Sequence, residues 1–110
     1  MITHLVLLKP RPDLTASERR DFVRAFERAV QEIPGVRSVR VGRRVTCGAG
    51  YECGMLDAAD FMAALDFDDV AGLQGYLGDP AHQELGRLFR ESLASALVLD
   101  FEIAAPDSFG

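Results

Sequence analysis

The run Ile2-Thr3-His4-Leu5-Val6-Leu7-Leu8 constrains this chain more than any other segment. Side chains of a strand alternate between its two faces. Ile2, His4, Val6 and Leu8 therefore share one face, while Leu5 and Leu7 take the other. The run is near-continuously apolar and is bounded by Pro10 and Pro12. Its length and β-branched content favour a strand buried on both faces. Such a strand needs cover both above and below.

The rest of the chain supplies candidates for that cover. Thr15 and Glu18 stand three apart, the spacing of a capping box in which each closes the other's backbone. Phe22, Val23, Phe26, Ala29, Val30 and Ile33 then repeat at helical spacing, with Arg19, Arg20, Arg24, Glu27 and Arg28 between them as the wet face. Pro34-Gly35 stops the helix. Val36 to Val45 reads as a second strand, with Val39, Val41 and Val45 on one face. Residues 46–56 are glycine-rich and read as a loop. Ala59 to Phe67 is a third strand, with Phe61, Ala63 and Leu65 on one side and Met62 and Ala64 on the other. Asp68-Asp69 caps a short helix holding Val70, Leu73 and Leu77. Asp79-Pro80 ends it and starts another, whose buried stripe is Leu85, Leu88, Phe89 and Leu93. Ala96 to Ile103 is the last strand, and residues 104–110 form a short tail expected to fray.

The order strand, helix, strand, strand, helix pair, strand specifies an α+β fold. It is the ferredoxin-like split βαβ arrangement, a four-stranded antiparallel sheet with helices on one face. A monomer of this kind leaves its other sheet face bare. Here that face is apolar as well, so the chain is expected to be a homodimer. Apolar residues make up 48% of the chain, which also suggests apolar surface buried between subunits.

The 110 residues fit one domain, placed at residues 1–103 ahead of the tail. A net charge of −5 argues against a nucleic-acid partner, which requires a basic face. Nothing approaches the ~20 consecutive apolar residues that span a bilayer, so no membrane partner is expected. The start lacks the pattern of a secretory signal, and two cysteines fit a reducing cytoplasm.

Tyr76 and His82 flank the helix break at Gly78-Asp79-Pro80, where both can be aimed at the sheet. Removing a proton beside a carbonyl needs a base with a pKa near the working pH, which histidine supplies. The charge that develops on oxygen needs a donor, which a tyrosine hydroxyl supplies. Either residue can equally serve packing alone. His4 reads as a hydrogen-bonded core histidine or as a pocket residue. Two histidines and scattered carboxylates lack metal-site spacing, and nothing selects for haem, so no metal or cofactor is expected. Cys47 and Cys53 are too far apart for a redox pair and read as plain loop thiols. Arg37, Arg40, Arg43 and Arg44 read as a solvated rim, or as an anion site at a pocket mouth.

Four segments carry a family resemblance: His4-Leu5-Val6-Leu7-Leu8-Lys9, Leu65-Asp66-Phe67-Asp68-Asp69-Val70, Tyr76-Leu77-Gly78-Asp79-Pro80-Ala81-His82 and Val98-Leu99-Asp100-Phe101-Glu102. In this order and spacing the chain resembles the stress-responsive A/B barrel (Dabb) family from about Ile2 to Ile103. The resemblance implies a dimeric α/β barrel in which two sheets face each other. Within the family it is similar to plant polyketide cyclases, which close a polyketide chain by aldol chemistry without metal or organic cofactor. That similarity implies catalysis by His82 with Tyr76, Asp100 as the carboxylate behind His82, and His4 as the first-strand histidine. If Asp100 pairs with His82, the His82 pKa should rise. The implied pocket wall is Val6, Leu8, Val23 and Ala63, with Phe26 where the cyclase has tyrosine. Asp79 stands where the family often has histidine, and Ala63 where the cyclase has a larger residue. Three functions follow: a cyclase-type lyase acting on a small carbonyl compound, a non-catalytic dimer that binds a small apolar ligand or serves a stress response, and a cofactor-free monooxygenase.

Overall fold

The computed structural model describes residues 1–56 and 59–110. Strand β1 (Ile2–Pro10) leads to helix α1 (Ala16–Glu32) and strand β2 (Ser38–Arg43). A 3-10 turn (Gly50–Gly54) precedes strand β3 (Phe61–Phe67). Helices α2 (Val70–Gly78) and α3 (Pro80–Ser92) follow, then strand β4 (Leu93–Glu102) and a second 3-10 turn (Pro106–Phe109). The strands form one antiparallel sheet in the order β2-β3-β1-β4, so β1 has a hydrogen-bonded neighbour on either edge.

The helices start where their caps are. Thr15 and Glu18 close the capping box at α1. The Asp69 carboxylate accepts from the Gly72 amide at α2, and the Asp79 carboxylate accepts from the Ala81 amide at α3, with Pro80 in the first turn. Asp79 is also the last cap of α2, so one residue ends one helix and begins the next. The core lies between the sheet and the helices. Ile2, Val6, Ala63, Leu65 and Phe67 meet Ala29 of α1 and Ile33 just past its end, Leu73 and Tyr76 of α2, and Ala81 and Leu85 of α3.

Several element bounds differ from the sequence reading. β2 ends at Arg43 and β3 begins at Phe61, so Val45 and Ala59 lie outside the sheet. Asp57 and Ala58 of the intervening segment lie outside the described residues. β4 begins at Leu93 with no loop after α3, because the Ser92 carbonyl is taken by the Arg11 amide and Leu93 is drawn beside Pro10. Leu93 thus belongs to the sheet and not to the α3 stripe. The tail contains an ordered turn where fraying was expected.

The far face of the sheet carries Leu5 and Leu7 with Leu97, Leu99 and Phe101, the last three exposed. It also holds a polar row across three strands. Asp66 lies opposite both Thr3 and Ser38, and one carboxylate oxygen accepts from each hydroxyl, at 2.6 and 2.5 Å. These two bonds hold the Asp66 carboxyl below the usual carboxylate range, the Ser38 hydroxyl contributing most.

Candidate functional site

β1 and β4 are adjacent, and their register sets His4 directly opposite Asp100. The His4 Nδ1 lies 2.6 Å from an Asp100 carboxylate oxygen. An ionised carboxylate only accepts, so Nδ1 carries the proton and donates it. His4 is buried, whereas the Asp100 side chain is 44% exposed. The pair therefore bridges the core and the solvent along one flank of the sheet. On that flank the helix-side residues of β4, Ala96 and Val98, are exposed as well.

Tyr76 and His82 come to the same place from the helix layer. The Tyr76 ring is 5.9 Å from the His4 ring and 4.7 Å from the His82 ring, edge-on to both. Phe67 backs it at 5.3 Å. Tyr76 is almost wholly buried, and burial pushes its hydroxyl up to about 12. It therefore stays protonated and remains a hydrogen-bond donor across the neutral range. His82 is half-buried. Burial first, and the neighbouring His4 second, hold its pKa below the ordinary histidine value, with the Leu77 backbone and Asp79 acting in the opposite sense. At neutral pH His82 is therefore an unprotonated imidazole, able to accept a proton.

Two expectations are corrected here. The carboxylate of Asp100 holds His4 and not His82, because strand register places it across the ladder from His4. The His82 pKa accordingly falls where a rise was expected, since desolvation acts on it without a carboxylate partner from β4. The four polar residues do gather, as a row of three rings, His4–Tyr76–His82, with Asp100 behind the first.

Among the implied wall residues, Val6 and Ala63 are buried in the core, and Leu8 and Phe26 pack against it. Val23 is 43% exposed, off the Phe22–Phe26–Ala29–Ile33 line that meets the sheet. Two clefts lie elsewhere. One of about 310 Å³ separates α1 from α3 and is lined by Asp21, Arg24, Arg28, Glu84 and Arg87 among others. The other, about 430 Å³, lies between Arg43, Arg44, Thr46, Asp60 and Phe61. The four arginines do not form one cluster: Arg37 is bound to Asp68, Arg40 and Arg43 lie on opposite faces of β2, and Arg43 and Arg44 line the second cleft. Among the described residues no three His, Cys, Asp or Glu side chains converge as a metal site, and no helix is long and apolar enough to cross a membrane.

Comparison with known proteins agrees with this architecture. The model of the Stress Responsive A/B Barrel Domain matches residues 2–103. Olivetolic acid cyclase of Cannabis sativa is 24% identical over 100 residues, covering 91% of this chain and 94% of the cyclase. The hydroxynitrile lyase of Passiflora edulis superposes with a TM-score of 0.78 at 14% identity, covering 94% of this chain and 93% of the lyase. A dimeric ferredoxin-like protein of Jannaschia sp. CCS1 superposes with a TM-score of 0.75 at 23% identity, covering 93% of this chain and 98% of that one. At these identities the superpositions speak for the fold alone.

Proposed function

The chain belongs to the stress-responsive A/B barrel domain family, and from that premise we propose a homodimer whose protomers each bind a small carbonyl compound and act on it by cofactor-free acid–base chemistry of the polyketide-cyclase type. The observation that carries this reading is the Tyr76–His82 contact, with the two rings 4.7 Å apart and in complementary states. A neutral imidazole stands beside a hydroxyl that keeps its proton. His82 takes the proton from the carbon next to a carbonyl, and the Tyr76 hydroxyl donates to the oxygen that gains charge. The enolate carbon then bonds to a second carbonyl carbon of the same substrate molecule, whose oxygen becomes an alkoxide and takes the proton held by His82. The His4–Asp100 pair fixes the first-strand imidazole beside Tyr76. The ligand reaches these groups from the exposed flank formed by Ala96, Val98 and Asp100.

The similarity to olivetolic acid cyclase supports the reaction class. The bare face of Leu97, Leu99 and Phe101 supports the dimer, as does the dimeric state of the Jannaschia protein. Turnover of a linear poly-β-ketone thioester, followed by mass spectrometry of the cyclised product, tests the chemistry. His82→Ala should lower the rate by about 10²-fold or more. Ligand binding with no turnover in the unaltered protein would leave the non-catalytic reading in its place.

A further inference from the structure

The helices leave one end of the β2–β3 pair uncovered. Side chains alternate along a strand, and the ladder sets Val41 opposite Ala63 and Arg43 opposite Phe61, so all four lie on the helix side of the sheet. Ala63 is buried in the core, yet Val41 is 68% exposed and Phe61 40%. The cleft of about 430 Å³ lined by Arg43, Arg44, Thr46, Asp60 and Phe61 opens at this end. Its base is tied to the strands on either side. The Asp60 amide donates to the Leu8 carbonyl at 2.9 Å, and the Asp60 carbonyl accepts from the Arg44 amide at 2.8 Å. Phe61 lies four residues before Leu65, the cross-ladder neighbour of His4, which sets the cleft about 13 Å along the sheet from the ring row. The buried Val6 and Ala63 stand between the two places.

The chain as a whole carries a net charge of −5, but the lining of this cleft is net positive, two guanidinium groups facing the one carboxylate of Asp60. Arg11, Arg28, Arg37 and Arg87 are each held in an ion pair with a carboxylate. Arg44 has contacts of its own within the protein and builds the wall. Among the described residues no carboxylate lies within ion-pair reach of Arg43, whose planar fork matches the two oxygens of a carboxylate. Thr46 adds a hydroxyl able to donate a further hydrogen bond. The exposed Phe61 ring offers an apolar wall suited to a second ring. The Asp60 carboxylate opposes a second negative charge, so a monoanion fits this lining better than a dianion.

We propose that this cleft is a binding site for a small aromatic monocarboxylate, its carboxylate on Arg43 and its ring against Phe61. The site is separate from the His4–Tyr76–His82 row and does not depend on the chemistry assigned to that row. Because Asp60 is held on both sides through its backbone, the base of the cleft is already in place before a ligand arrives, which lowers the cost of binding. A nucleic acid is a poor occupant, since the positive charge is confined to this cleft on an acidic chain.

Benzoate is the probe, titrated into nitrogen-15-labelled protein and followed by NMR. Benzamide, which keeps the ring without the charge, and acetate, which keeps the charge without the ring, serve as comparisons. Benzoate should shift the signals of Arg43, Thr46 and Phe61 along one saturating curve, with each comparison compound roughly tenfold weaker or more. Arg43→Gln should raise the benzoate Kd roughly tenfold or more, with circular dichroism unchanged. Phe61→Leu should weaken benzoate and leave acetate as it was. Benzoate that leaves the three signals unmoved, or that binds Arg43→Gln as tightly as the unaltered protein, would overturn the site. Benzamide binding as well as benzoate would remove the role of the charge and overturn it too. Shifts centred on Tyr76 and His82 instead would place the ligand in the ring row, overturning the separate site and leaving the acid–base reading standing.

Discussion

Asp100 lies directly across the β1–β4 ladder from His4 and accepts its Nδ1 proton at 2.6 Å, although 96 residues separate the two in the chain. The imidazole is buried and the carboxylate half in water, so the pair anchors an otherwise apolar strand at its open flank. Asp100→Ala should cost about 1–3 kcal/mol in urea unfolding by leaving a buried donor without its acceptor. Water can reach the vacated place, which puts the loss toward the lower end. Asp100→Asn, which keeps an acceptor oxygen, should recover much of it. An Asp100→Ala protein as stable as the unaltered one would show that the pair contributes nothing to folding.

His82 should report its surroundings through pH. Its folded-state pKa is lowered by burial, whereas the unfolded chain titrates near ~6.5. The unfolded state therefore binds the proton first as pH falls. The stabilisation linked to His82 is fully present above the unfolded value and is lost as pH drops through the folded one. In His82→Gln that part of the pH dependence should vanish. Proton NMR of the imidazole should place the midpoint below that of a free histidine; a midpoint above it would mean that a carboxylate governs His82 after all.

Tyr76 separates packing from chemistry. Its ring is buried against Phe67, His4 and His82. Tyr76→Ala should cost about 3–5 kcal/mol of stability, as for other buried aromatic rings. Tyr76→Phe keeps the ring, should unfold at nearly the same urea concentration, and should still lower turnover of a poly-β-ketone thioester by about 10²-fold. Full activity in Tyr76→Phe would remove the hydroxyl from the proposed mechanism.

The homodimer has a sharp test on the far face of the sheet. Leu99 is exposed there beside Leu97 and Phe101 on β4, whereas Val41 belongs to the helix side of β2, opposite Ala63. Leu99→Asp places a charge in the proposed interface and should shift the protein to monomer by light scattering at micromolar concentration. Val41→Asp should leave the mass unchanged. The reverse result would move the interface to the helix side.

The double change Cys47→Ser/Cys53→Ser should leave urea stability within about 0.5 kcal/mol, as for most surface positions. Both thiols are free and exposed. A larger loss would show that one of the thiols carries packing.

The parts of this protein readable from sequence were those set by near neighbours. The Thr15–Glu18 box, the Asp69 cap and the shared Asp79-Pro80 boundary each close within three residues, so they follow from residue type and spacing alone. Alternation in β1 likewise put His4 beside Ile2 and Val6 on the buried face. The order of elements was enough to identify the fold, whereas the place of β1 between β3 and β4 came from the structure. What the tertiary structure decided was register. Only once β4 has paired with β1 does Asp100 stand opposite His4 and not beside His82, and the direction of the His82 shift turns on that choice. The Thr3–Asp66–Ser38 row depends on register in the same way, joining three strands that local pattern treats separately. Val23 sits one position from a core residue on α1, and which of two adjacent residues is buried depends on the angle at which the helix meets the sheet. Caps and periodicity are properties of a few consecutive residues, whereas cross-strand pairs and helix rotation are settled by the packing of the whole core.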